Sequence, residues 1–159
     1  MNTTQGPSFE AAAEPLIIRI YQRAYVAPEQ LAGFLRSAAR FYGARATIRF
    51  TMPAEQMTVI GLESPTVNLS VVSAPSTQLE PFLDTAQTVL VTDVDEALAR
   101  VLASGGRVVQ PRTAVPPGAQ ARGQLPGGPV IEFAQWDHAA PYLAPDLSDL
   151  GISESDCLG

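Results

Sequence analysis

The sequence predicts an α+β fold in which two βαβββ modules form one curved mixed sheet around a cleft, with the helices outside. Three observations predict it. The order strand, helix, strand, strand, strand occurs twice, over residues 16–74 and 82–136, with a linker at 75–81 between the copies. In both copies a glycine ends the helix and an arginine opens the next strand, as Gly43-Ala44-Arg45 and Gly105-Gly106-Arg107. The length, 159 residues at 46% hydrophobic, suits one core and excludes wholesale disorder. Neither module buries a sheet alone, so the two are expected to pack together.

Residues 1–15 (MNTTQGPSFEAAAEP) are small, polar and broken by Pro and Gly, and read as a loose leader. LIIRIYQRAYV (16–26) is rich in β-formers. Its alternation places Ile18 and Ile20 on one face and Arg19, Tyr21, Arg23 and Tyr25 on the other. PEQLAGFLRSAARFYG (28–43) reads as a helix, with Pro28 in the first turn, Gly43 at the stop, and Leu31, Phe34, Leu35 and Ala38 on one stripe. Strands follow at 44–52, 56–63 and 66–74, punctuated by Pro53-Ala54 and Ser64-Pro65. The second module opens with TAQTVLVT (85–92). Its helix starts behind Asp93, a strong N-cap residue, and stops at Gly105-Gly106. The strand at 107–116 contains Pro111, which confines it to an edge or a bulge. Strands at 119–125 and 129–136 complete the module, and residues 137–159 form an acidic C-terminal tail. That tail has few apolar anchors (Tyr142, Leu143, Leu147, Leu150, Ile152), so it is expected to be dispensable for folding yet free to lie across the partner or the cleft, with one short turn at DLSDLG.

Charge and composition narrow the partners. The net charge is −6 and all ten basic residues are scattered arginines, a poor match to a nucleic-acid backbone. No apolar run reaches the ~18 residues of a membrane-spanning helix, and the N-terminus lacks a basic start followed by an apolar stretch. Cys157 has no second cysteine to pair with, so a cytoplasmic protein with a free tail thiol is expected. No GxxxxGK[ST] or GxGxxG motif exists, and the glycine pairs read as turns. Asp93 and Asp95 sit at a helix start, where carboxylates satisfy free N–H groups. Met52 and Met57 flank a strand turn and read as packing.

VTDVDEALARVLASGGRVV followed by PPGAQARGQLPGGPVIEF resembles the vicinal oxygen chelate superfamily, which includes glyoxalase I, extradiol dioxygenases and bleomycin-type binding proteins. The resemblance extends more weakly to VAPEQLAGFLRSAARFYGA, and covers residues 16–136. It implies a metal site with ligands on the first and last strands of each module. Counting back seven residues from the helix starts carries the first-strand positions to Tyr21 and Ala86, and the last-strand positions, in VNL and IEF, are Asn68 and Glu132. Only Glu132 is a common divalent-metal ligand, against about three protein ligands at a catalytic zinc. The one histidine, His138, lies beyond the last strand. The expectation is therefore a site without metal or other cofactor. The resemblance also implies a homodimer.

Glu132 is the sharpest candidate. It reads either as a carboxylate paired with Arg19 or Arg23 across the cleft, or as a ligand-binding group and general base. Tyr21, with Arg19 and Arg23 on the same strand face, suits a flat conjugated ligand. Phe50 and Trp136 are placed at the rim, and Asn68, Ser70 and Thr88 are small polar groups able to orient a ligand. Tyr21 and Glu132 come from opposite modules, so a ligand between the modules would meet both. The function expected is metal-free binding of an aromatic or amphiphilic natural product, for resistance or sequestration. The alternative is a metal-independent biosynthetic enzyme using Glu132 or Tyr21 as acid or base.

Overall fold

The computed structural model describes residues 16–137 and 145–153. β1 (Ile17–Val26) runs through a single 3-10 turn, Pro28–Gln30, into α1 (Leu31–Tyr42). β2 (Arg45–Met52), β3 (Met57–Glu63) and β4 (Asn68–Ser73) complete the first module. α2 (Ser76–Leu79) bridges to β5 (Thr85–Val91) and α3 (Val94–Ala103), then β6 (Arg107–Val115), β7 (Gly118–Gln124) and β8 (Val130–Trp136). The strands make one eight-stranded sheet in the order β2-β3-β4-β1-β5-β8-β7-β6. β1 and β5 pair antiparallel at the centre, each with a parallel partner on its other side, β4 and β8. The order therefore reads the same from either edge, as two copies of one module require.

Local chemistry explains the element ends. Gly43 adopts a left-handed φ of 64° and closes α1. The Asp93 carboxylate accepts from the backbone N–H groups of Asp95 (2.9 Å) and Glu96 (3.2 Å), so it caps α3 as the sequence predicts. α1 buries Leu31, Leu35, Ala38 and Ala39 against Ile60, Leu62, Leu69 and Val71. α3 buries Val94, Ala97 and Val101 against Val89, Val91, Ala121 and Phe133. Both helices thus cover one face of the sheet, and the other face curves around the cleft. Pro111 lies in the edge strand β6, where the β6–β7 register slips between Gln110 and Thr113. No helix among the described residues is long and apolar enough to cross a membrane.

Three segments carry more structure than residue types alone predict. The 75–81 segment is ordered, because α2 and the next 3-10 turn bury Leu79. Ile18 and Ile20 are about half exposed, as is Ile17: β1 lies between the two helices, and its register slips between Ile17 and Arg19. Residues 145–153 of the tail pack against the first module. Leu147 and Ile152 are 6% and 5% exposed within the α1 cluster, with Leu150 packed against it. Arg49 of β2 binds both oxygens of Asp149 at 2.6 and 2.8 Å and the Asp146 carbonyl at 2.9 Å, and Arg36 donates to the Gly151 carbonyl at 2.6 Å. The sequence does place the short turn, Ser148–Leu150. Tyr142, Leu143, His138 and Cys157 lie outside the described residues.

Candidate functional site

Past the slip between Ile17 and Arg19, the odd-numbered residues of β1 project into the concave face. Register carries that alignment across the sheet: Tyr21 stands opposite Thr88, Thr88 beside Glu132, and Arg23 beside Ser70. Two spaces open on this face, and Trp136 borders both.

The inner one is a cavity of about 20 Å³, room for a single water. Phe50, Met57 and Phe82 wall it, and Arg23, Ser70, Thr88 and Glu132 supply its polar groups. Arg23 Nη2 donates to Glu132 Oε2 at 3.4 Å, with the two side chains 6% and 10% exposed. Thr88 Oγ1 donates to the other carboxylate oxygen at 3.2 Å. Arg23 also donates through Nε to Tyr25 Oη at 3.3 Å, its guanidinium lying over that ring. Tyr25 in turn donates to the Phe82 and Thr85 carbonyls, and burial pushes its phenol pKa upward. The result is a closed polar cluster that ties β1 to β8 and to the segment between the modules.

The outer space is a chamber of about 250 Å³. Ile18, Ile48, Leu90 and Trp136 form its apolar walls, and Arg19, Tyr21, Thr47 and Glu63 its polar end. Tyr21 is 1% exposed, and its ring lies 5.7 Å from that of Trp136 at 54°. Its hydroxyl donates to Glu63 Oε1 at 2.6 Å, and Arg19 pairs with the same oxygen. Burial first, and then the Glu63 carboxylate, push the Tyr21 phenol pKa well above its ordinary value. Gly61 makes this arrangement possible, because a Cβ there would stand 2.7 Å from Ile48 Cγ2 and 3.7 Å from the Tyr21 ring.

The sequence-predicted residues are therefore divided. Tyr21 and Arg19 line the outer chamber, and Arg23, Phe50, Ser70, Thr88 and Glu132 the inner cavity; Trp136 borders both, and Tyr21 and Glu132 are each paired in register with Thr88. Phe50 is buried in the interior, not at the rim. Asn68 donates to the Ile20 carbonyl at 3.2 Å instead of presenting its amide to a ligand. Ala86 is also misplaced. The β5–β8 register slips between Thr85 and Gln87, leaving Ala86 as an exposed extra residue, and Thr88 is the concave neighbour of Glu132. Asp95 pairs with Arg112 at 3.2 Å at the surface.

The residues present do not fit a divalent metal. The concave positions that register brings together are Tyr21, Ser70, Thr88 and Glu132, three neutral hydroxyls and one carboxylate. That carboxylate already holds the Arg23 guanidinium, a fixed cation inside the site. Glu63 is likewise committed to Arg19 and Tyr21. Among the described residues no three His, Cys, Asp or Glu side chains converge.

Comparison with known proteins follows the topology. The chain matches a hypothetical protein from Methanosarcina mazei at 21% identity and a TM-score of 0.58, over 79% of this chain and 98% of that one. It matches methylmalonyl-CoA epimerase from Mycobacterium tuberculosis at 14% identity and a TM-score of 0.57, over 87% and 97%. It also matches a mutant 4-hydroxymandelate synthase from Streptomyces coelicolor at 17% and 0.53, over 77% of this chain and 39% of that one. The chain has the vicinal oxygen chelate fold. No family model matches it, and no curated protein matches it in sequence. Within this fold, Glu63 is the site residue that sequence reasoning missed. β3 is apolar on both faces, with Ile60 and Leu62 toward α1 and Val59 toward the cleft, so alternation alone did not show which way its last residue points.

Proposed function

We propose that this protein binds a small planar aromatic or amphiphilic molecule in the outer chamber without a metal, in a sequestering or resistance role. The observation that carries the reading is the chamber's division of labour. Trp136, backed by the buried Tyr21 ring, offers an aromatic surface, Ile18, Ile48 and Leu90 give apolar walls, and one polar end gathers Arg19, Tyr21 and Glu63. A mostly apolar concavity with a few convergent polar groups is the usual form of a small-ligand site. The methylmalonyl-CoA epimerase and 4-hydroxymandelate synthase likenesses place enzymes on this fold, but a fold hosts many chemistries. Acid–base catalysis has less support here. Glu132 is held by Arg23 in a cavity too small for a substrate, and a Tyr21 phenol with a raised pKa is a poor base at neutral pH.

Trp136 is the chain's one tryptophan, so its emission reports directly on the chamber. Titration with para-nitrophenol, a planar absorber of tryptophan emission, should quench it saturably with one site per chain. Thr47→Phe, which fills the chamber from its partly exposed wall, should abolish the saturable phase. Purely collisional quenching in the wild type, or unchanged saturation in Thr47→Phe, would overturn the assignment.

A further inference from the structure

Glu63 borders the outer chamber on one side and, on the other, an open groove of about 710 Å³ that reaches the C-terminal end of α1. Arg45 is the direct cross-strand partner of Glu63. Opposite charges in that position ordinarily interact. Here the acid is engaged elsewhere, because Glu63 turns inward to accept from Tyr21 and Arg19. Arg45 therefore lines the groove without its natural acid. Arg40, in the last turn of α1, lines it as well. Among the described residues neither arginine has a hydrogen-bond or ion-pair partner, and both are exposed. The end of a helix is itself a favourable place for Arg40, but Arg45 sits on a strand and has no such compensation. In a chain of net charge −6, two uncompensated guanidinium groups beside a ligand chamber reverse the local sign.

We propose that the molecule held in the outer chamber carries an anionic arm, ending in a carboxylate or a phosphate, which passes Glu63 and is bound by Arg45 and Arg40. This inference rests on the outer chamber being the ligand site. A guanidinium fork matches either oxyanion. The Arg19 pairing neutralises Glu63, so the arm can pass it, and the anionic end is favoured further out, at the unpaired arginines. Arg45 and Glu63 are paired across β2 and β3, about 5 Å apart at Cα, so an arm that passes Glu63 enters the groove beside Arg45.

The test compares para-nitrophenylbutanoate with its methyl ester, and para-nitrophenylpropyl phosphate with the parent alcohol, each read by Trp136 quenching. The charged member of at least one pair should bind about tenfold tighter than its neutral counterpart, the effect of one charge-assisted hydrogen bond, and the pair with the larger ratio identifies the oxyanion. In R40Q/R45Q that advantage should vanish while the neutral compounds bind as in wild type. Added salt should erase it in the wild-type protein too, a second readout that needs no variant. Equal binding of charged and neutral compounds, or an advantage surviving in R40Q/R45Q, would overturn the anionic arm alone. Failure of every compound to bind would overturn the chamber and the arm together.

Discussion

Replacing Glu132 by leucine strands the Arg23 guanidinium in the interior. Arg23 and Glu132 side chains are 6% and 10% exposed, and the cavity between them measures about 20 Å³, too little for solvent to replace the carboxylate. Breaking a buried pair from one side costs about 3–5 kcal/mol. In a chain of this length that lowers the melting temperature by about 6–20 °C, at roughly 2–4 °C per kcal/mol. Arg23→Met alone leaves Glu132 with only the Thr88 hydroxyl, and should cost a similar amount. The double variant Arg23→Met/Glu132→Leu removes both charges and fills the space with apolar atoms, so it should recover to within about 1–2 kcal/mol of wild type. Calorimetric melting of the four proteins closes the cycle. Single variants that melt within about 2 °C of wild type, or a double variant worse than either single, would refute the reading of this pair as a closed interior cluster.

Other outcomes follow from the same structure. Tyr21→Phe removes the bond to Glu63 but keeps the ring against Trp136; it should cost about 0.5–1.5 kcal/mol, or about 1–6 °C in a melt, while Arg19 still holds Glu63. Leu147→Ala should cost about 2–4 kcal/mol by vacating a place in the α1 cluster; if truncation after Asp137 melts as wild type, the C-terminal segment does not stabilise the fold. The Arg49 bond holds the Asp149 pKa below its ordinary value, so its contribution is present above about pH 4 and is lost as pH falls through the lowered value. The protection factor of the Ile152 amide, corrected for intrinsic exchange, should accordingly fall in acid, and Asp149→Asn should flatten that dependence. We also expect a symmetric homodimer, tested by light scattering: a one-chain mass at high micromolar concentration contradicts it.

The sequence was most legible where one residue type has one structural use. Gly43, Asp93 and Pro111 fixed a helix stop, a helix start and an edge strand, and the repetition of that grammar gave both modules. It was least legible where contacts are set by register. Counting back from Asp93 selected Ala86, because the slip between Thr85 and Gln87 cannot be read from residue types. Glu63 was hidden for a related reason, since a strand buried on both faces loses the alternation that shows direction. The tail misled differently. Leu147, Leu150 and Ile152 are few, but Arg49 and Arg36 hold the intervening turn so that all three reach α1.

The most direct test of the account is a map of methyl resonances during titration of the isotope-labelled protein with para-nitrophenol. Ring currents from a ligand in the outer chamber should move the methyls of Ile18, Ile48 and Leu90, while those of Met52, Met57 and Val59 around the inner cavity stay in place. Shifts confined to the inner-cavity methyls, or saturation without movement at Ile48 and Leu90, would contradict it.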